Sequence, residues 1–369
     1  MENKKVCLWD LEGPISALDF AAELGRLLKD KPKLGLESYD MGEFFVMISN
    51  YDDYLIDVPG VKEKLRIPEY QPGDTLRLMA PLYIFSFNDS ELKTIAKQNL
   101  GLLPGAVECM KELHNDWEVF VISTSYTQFA YSVTEAIGIE TDHVYCTDLN
   151  IEKLKIDLSK IEETVEILIF LIFQKYLDNN KNLDLIIDDL NRFFWLGEKS
   201  EYHRVMNEVK VRGGKRKELA AEAIAKRTGV PLSKVIAVGD SITDINMLSR
   251  VNTEGGFAIS FNGNRFSLKE ANISVTTKNQ MGILPLFRNY PDIFSFIEKW
   301  ENNFSTFENN PNHIPNSLIS RELREYFIKH DFVPEFYILK NKTKSQMDEI
   351  TTRQVKMRKF VRGWAGNLG

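Results

Sequence analysis

Three short apolar runs in this chain each stop at a polar residue of a kind that does chemistry, and their order constrains the fold more than any other feature. Residues 6–9 (VCLW) lead into Asp10-Leu11-Glu12-Gly13, residues 118–122 (EVFVI) into Ser123-Thr124-Ser125, and residues 235–238 (VIAV) into Gly239-Asp240-Ser241-Ile242-Thr243-Asp244. Unbroken apolar runs of this length read as strands buried on both faces. Helical spacing separates them: Leu18, Ala21, Ala22, Leu24, Leu27 and Leu28, then residues 106–113 after Leu103-Pro104-Gly105, residues 128–137 and residues 217–228. Residues 143–146 and the apolar stretch 257–261 continue the alternation. Strands separated by helices imply an α/β fold with a doubly wound, mainly parallel sheet, whose sites lie beyond the carboxyl ends of the strands.

That edge gathers carboxylates and a hydroxyl, and the turn Gly213-Gly214-Lys215-Arg216-Lys217, which precedes the helix before the third run, adds an ammonium group. Clustered carboxylates repel one another, and a hard divalent cation such as Mg²⁺ resolves the conflict. The ion and a lysine together neutralise a phosphoryl group, so that a carboxylate can attack phosphorus. The residues by themselves therefore point to phosphoryl transfer.

The succession DLEG, VFVISTS, a lysine, then VGDSITDINML resembles the four-motif signature of the haloacid dehalogenase (HAD) superfamily, and within it the phosphoserine phosphatase branch. Residues 255–271 (GGFAISFNGNRFSLKEA) are similar to the segment that follows the last motif there. The likeness covers residues 1–14 and 100–275. It implies a Rossmannoid core and an Mg²⁺-dependent phosphatase that hydrolyses a small phosphomonoester, with phosphoserine-like esters as the candidate class, through an aspartyl-phosphate on Asp10. Position by position, it makes Asp10 nucleophile and metal ligand. Glu12 becomes the general acid/base, its backbone carbonyl on the metal. Ser123 and the N–H of Thr124 contact phosphoryl oxygens, Asp240 and Asp244 hold the metal, and Asn262 lines the phosphate pocket. Spacing to Gly229 favours Lys217 as the site lysine, with Lys215 as the alternative. In the cap, Asp19 is the candidate for a substrate amino group and Arg77 for a substrate carboxylate. Two positions depart from the pattern: Glu12 stands where a second aspartate is usual, and Thr243 where asparagine is commonest. Glu12 brings in a second reaction, phosphotransfer to a hydroxy-amino acid. A third reading, from the long extensions, is a regulatory or assembly subunit with little catalysis.

The expected organisation is a catalytic core of residues 1–14 and 100–285, a helical cap at 15–99, a helical insertion at about 150–210 and a helical C-terminal extension at 286–369. A net charge of −7 disfavours nucleic-acid binding and leaves small phosphorylated metabolites as substrates. Three dispersed cysteines, Cys7, Cys109 and Cys146, fit a reducing cytoplasm. The N-terminus does not read as a signal peptide. The longest apolar run, residues 167–173, is far below the ~20 residues of a spanning helix. The five histidines lack zinc-ligand spacing and read as packing or surface residues. Residues 340–362 are markedly basic, with Met347, Ile350, Met357, Val361 and Trp364 at near-heptad spacing. They read as a helix docking on the body through that apolar seam, or as a surface for a protein partner or self-association.

Overall fold

The computed structural model describes residues 5–31, 35–155 and 161–368. Residues 1–4 of the expected core and residues 156–160 of the expected insertion lie outside the described residues.

A seven-stranded sheet runs through the described chain in the order β3-β2-β1-β4-β5-β6-β7. The strands are β1 (Lys5–Trp9), β2 (Trp117–Tyr126), β3 (Val144–Thr147), β4 (Ile236–Gly239), β5 (Phe257–Phe261), β6 (Ile273–Thr276) and β7 (Glu335–Ile338). All neighbours are parallel except β6 and β7. The two-residue period of a strand divides the apolar runs between the faces. Val6, Leu8, Phe120, Ile122 and Ala237 pack on one side with Ala221, Ile224, Leu248 and Val251 of the helices Lys215–Thr228 and Ile245–Thr253. Cys7, Trp9, Val119, Val121, Ile236 and Val238 face the other side, in the larger cluster with Met110, Phe287 and Ile297. The fold class is thus the doubly wound α/β arrangement that the alternation implies.

Register places the site. Trp9 pairs with Val121 on one side and with Val238 on the other, and the Asp10 N–H donates to the Val238 carbonyl at 2.8 Å. The carboxyl ends of β1, β2 and β4 are therefore level, and the polar residues that follow them emerge together.

Two findings differ from the sequence reading. The region beyond residue 285 is not all helical, because β7 joins the sheet as an antiparallel edge strand: Ile338 pairs with Ile273 and Phe336 with Val275. The C-terminal helix Lys344–Arg362 docks, but not by an apolar seam. Ile350 is buried, whereas Met347, Met357 and Val361 are half-buried and Trp364 is exposed. The buried face is the i+4 row Ile350, Gln354, Arg358 and Arg362. Gln354 fixes it, accepting from the Gly263 N–H and donating to the Ser260 and Val275 carbonyls at 3.2 and 3.0 Å.

The helices between β1 and β2 and those between β3 and β4 pack on each other. The Tyr51 hydroxyl donates to Asn191 at 2.7 Å and accepts from the Trp195 indole at 2.9 Å. The loop at Pro72-Gly73 meets the core. A side chain on Gly213 would fall 2.0 Å from the Pro72 carbonyl oxygen, and Arg216 donates to Asp74 at 2.6 Å.

Candidate active site

Lys217 is the hub of the site. It sits in the first turn of the helix Lys215–Thr228, where the helix dipole disfavours a cation, and it is wholly buried. Two carboxylates compensate: its Nζ lies 2.7 Å from Asp10 Oδ1 and 2.7 Å from Asp244 Oδ1. Burial opposes its charge, yet Asp10 and Asp244 hold the ammonium above its ordinary range. Lys215 is half-exposed and pairs with Glu218. Of the two candidate lysines, Lys217 is the one among the carboxylates.

Asp10 is buried at the end of β1, and its Oδ1 also accepts from the Leu11 N–H at 2.7 Å. Burial pushes its carboxyl well up; Asp244 and Asp240 add to the rise and Lys217 opposes it. Asp244 is held from below, its Oδ2 accepting from the N–H groups of Asp240 at 2.9 Å and Ser241 at 3.1 Å. A side chain on Gly239 would collide with Asp244, and one on Gly13, at φ +111°, would fall 2.1 Å from Asp240 Oδ2. Glycine is required at both positions for the carboxylates to approach the backbone.

One carboxylate oxygen each from Asp10, Asp240 and Asp244 can be chosen within 4.8 Å of one another. Asp240 Oδ1 is buried without a hydrogen-bond partner. An orphaned, charged acceptor beside two more carboxylates suits a hard divalent cation. The donor set therefore fits Mg²⁺.

A cleft of about 90 Å³ opens on this cluster. Asp10, Glu12, Asp19, Asp52, Asp53, Thr124 and Thr243 line it, and so do Arg358 and Arg362 of the C-terminal helix. Glu12 Oε1 accepts from the Phe20 N–H at 3.0 Å. Burial first, then Asp19, raise the Glu12 carboxyl to about 8. Asp19 caps the helix Phe20–Leu27 by accepting from the Ala22 N–H, and burial raises its carboxyl as well.

Three candidates are placed differently from the sequence reading. Ser123 is buried in β2 and does not line the cleft; its hydroxyl accepts from the Ser125 N–H at 3.1 Å. Asn262, at φ +46°, spends its amide on the Thr277 backbone, donating at 2.7 Å and accepting at 2.9 Å. It ties two strand ends together rather than lining the cleft. Arg77 is buried away from the cleft lining, 3.6 Å from Asp74 and against the rings of Tyr70 and Trp195.

Arg358 and Arg362 were missed altogether. Both reach Asp240 Oδ2, Arg362 at 3.2 Å. Their signal in the sequence is faint, a polar row Gln354-Arg358-Arg362 at i+4 spacing behind Ile350.

The family comparison agrees with this geometry. Residues 84–287 match the sequence model of the haloacid dehalogenase-like hydrolases, more than half of the chain. The chain belongs to that family. Among solved structures, this HAD-like hydrolase resembles a gene product of Archaeoglobus fulgidus, with a TM-score of 0.71, 24% identity and 99% of each chain covered. That likeness concerns the fold. A phosphoserine phosphatase, in a structure of a phospho-aspartyl intermediate analogue, is matched at a TM-score of 0.46 and 17% identity, over 77% of this chain and 98% of its own. No curated protein matches the chain. Among the described residues of this HAD-like hydrolase, no helix is long and apolar enough to cross a membrane.

Proposed function

We propose that this HAD-like hydrolase is an Mg²⁺-dependent phosphatase acting on a small phosphomonoester, with Asp10 as nucleophile. The observation that carries the reading is the contact of Asp10 with Lys217, beside Asp240 and Asp244 and open to the cleft. Asp10, Asp240 and Asp244 would hold the ion, which when bound supplies Lewis-acid charge neutralisation at the phosphoryl oxygens. Lys217 fixes one oxygen of Asp10 and leaves the carboxylate oriented for in-line attack on phosphorus, forming an aspartyl-phosphate. Glu12 lies in the same cleft, and a carboxyl raised to about 8 holds its proton near neutrality, as donation to a leaving alcohol requires. The deprotonated Glu12 then takes a proton from the water that hydrolyses the acyl phosphate. The Thr124 side of β2 supplies polar contacts for the phosphoryl oxygens, its hydroxyl anchored on the Arg212 carbonyl at 3.2 Å.

The carboxyl groups of Asp19, Asp52 and Asp53 line the cleft as acceptors, all three raised by burial, and Asp19 and Asp53 support a substrate with a hydrogen-bond-donating amino group, such as a phosphorylated hydroxy-amino acid. Gly73 lies close to Thr124 and Thr243 on the cleft wall, where an added Cβ would come within 2.9 and 3.0 Å of their methyl groups, and so narrow a cleft favours a small substrate. The test is phosphate release from a panel of phosphomonoesters with and without Mg²⁺, alcohol acceptors being added in parallel to detect transfer. Asp10→Asn is expected to lower turnover by at least about a thousandfold. Retention of a few per cent of Mg²⁺-dependent turnover would remove the covalent mechanism.

A further inference from the structure

The carboxylate cluster is not completed by the sheet alone. Arg358 and Arg362 come from the last helix, and both are nearly inaccessible to solvent. Arg358 Nη1 donates to Asp240 Oδ2 and its Nη2 to the Leu368 carbonyl at 3.0 Å, while its Nε is buried without a partner. Arg362 donates through Nη1 to the same Asp240 oxygen at 3.2 Å and through Nε to the Ala17 carbonyl at 3.2 Å. The two oxygens of Asp240 thus differ: Oδ2 carries both guanidinium groups, and Oδ1 carries nothing. Both arginines line the same small cleft as Asp10.

Charge decides what such a pair does. The three carboxylates Asp10, Asp240 and Asp244 match three cations, Lys217, Arg358 and Arg362, in an ion-paired cluster of zero net charge; Glu12 and Asp19, whose carboxyls burial raises, lie beside it and also feel Arg362. A divalent ion entering it leaves an excess of two positive charges, which a phosphate dianion cancels. Without the arginines, the ion alone would neutralise the cluster and leave no net attraction for a dianion. Guanidinium forks also match tetrahedral oxyanions in geometry.

We infer that Arg358 and Arg362 form an anion-binding pair that couples metal to phosphate: the ion draws on Asp240, and guanidinium N–H groups turn from that carboxylate to the oxygens of the arriving phosphoryl group. The pair weakens binding of the ion alone and strengthens binding of ion and oxyanion together. By reciprocity each ligand raises the affinity of the other by the same factor. The inference rests on the metal-dependent reading above.

The test is calorimetric titration of the full chain with Mg²⁺ alone, with inorganic phosphate alone, and with each at saturating concentration of the other. In the wild type, phosphate should tighten Mg²⁺ by at least about tenfold, within the usual range of coupling between sites. In Arg358→Gln/Arg362→Gln, Mg²⁺ alone should bind more tightly, while the coupling should fall below about threefold. Arg362→Gln, at the end of the helix, should show the same two changes in smaller measure and serves should the double variant not fold. The double lysine variant keeps the charge and should retain most of the coupling. A merely structural role would lower both affinities together. Unchanged coupling in a folded glutamine variant that still binds Mg²⁺ overturns the inference and leaves the phosphatase reading intact. A wild type that binds no Mg²⁺ overturns both.

Discussion

Replacing Lys217 by methionine tests whether the buried ammonium is what allows the carboxylates to coexist. The substitution keeps the length of the side chain and removes its charge. At 2.7 Å from each of two carboxylate oxygens, and with an effective dielectric constant near 20, each contact amounts to roughly 6 kcal/mol of attraction. Much of that is offset by the several kcal/mol needed to strip water from the ammonium group. Breaking a buried pair by removing one partner costs about 3–5 kcal/mol, because the other charges stay behind. Here two carboxylates are stranded, so the upper half of that range is expected. The assay is urea unfolding in chelator and again in millimolar Mg²⁺, with Lys215→Met as the control. The control should stay within about 0.5 kcal/mol of wild type, since Lys215 is a half-exposed surface residue. In Mg²⁺ the deficit of Lys217→Met should shrink, because the variant cluster carries one more uncompensated negative charge, binds the ion more tightly than wild type does, and gains more stability from it. Phosphatase turnover should still fall by about a hundredfold to a thousandfold, the usual cost of losing one preorganised electrostatic contact. A loss below about 1 kcal/mol in chelator would refute the reasoning, for it would mean that the carboxylates do not depend on Lys217.

Gly13→Ala should abolish Mg²⁺ binding, because the new methyl group would occupy the place of the Asp240 carboxylate at a φ that alanine rarely adopts; titration calorimetry checks it, and wild-type affinity would reject the packing argument. Asp52 accepts from the Tyr70 hydroxyl at 2.6 Å and the Gly73 N–H at 3.1 Å, and burial, the main cause, raises its carboxyl to about 7. Since the folded chain holds that proton more tightly than the unfolded one, its contribution is full below about pH 4 and is lost as pH rises to 7. The stability difference between wild type and Asp52→Asn should therefore drift over that window and level off above it, as urea titrations at half-unit steps would show. Asp19→Ala should raise KM for an amino-acid phosphate while sparing p-nitrophenyl phosphate; equal losses on both would remove the amino-group contact.

The parts of the site that could be read from the sequence are those where a buried strand ends. β1, β2 and β4 announce themselves because both their faces are apolar, so that Asp10 and Asp240 stand at abrupt changes of polarity. Lys217 follows from its distance to Gly229, which closes its helix in the left-handed region at φ +71°. β6 and β7 escaped notice for the opposite reason: Ser274 and Thr276 interrupt the apolar pattern of β6, buried though it is, and β7 is an edge strand with three half-buried positions in a region of helical pattern. Arg77 and Asn262 have side chains suited to a ligand but satisfy neighbours of their own, Asp74 and Thr277, a choice that only packing reveals. Arg358 and Arg362 sit in a lysine-rich and arginine-rich tail where cations ordinarily face water. Nothing local distinguishes them from Lys356 or Lys359; what distinguishes them is Asp240, far back in the chain.

That separation gives the protein a timetable. Arg358 follows Asp240 by 118 residues, and at a synthesis rate of about 5–20 residues per second the ribosome needs roughly 6–24 s to cover the interval. Lys217, by contrast, precedes Asp244 by 27 residues, so the ammonium is already in place when the acidic loop emerges. A nascent chain can thus assemble β1, β2 and β4 around a Lys217-stabilised cluster well before the guanidinium pair arrives. Until the tail has been made, Asp240 lacks the two guanidinium groups that in the complete fold both reach its Oδ2.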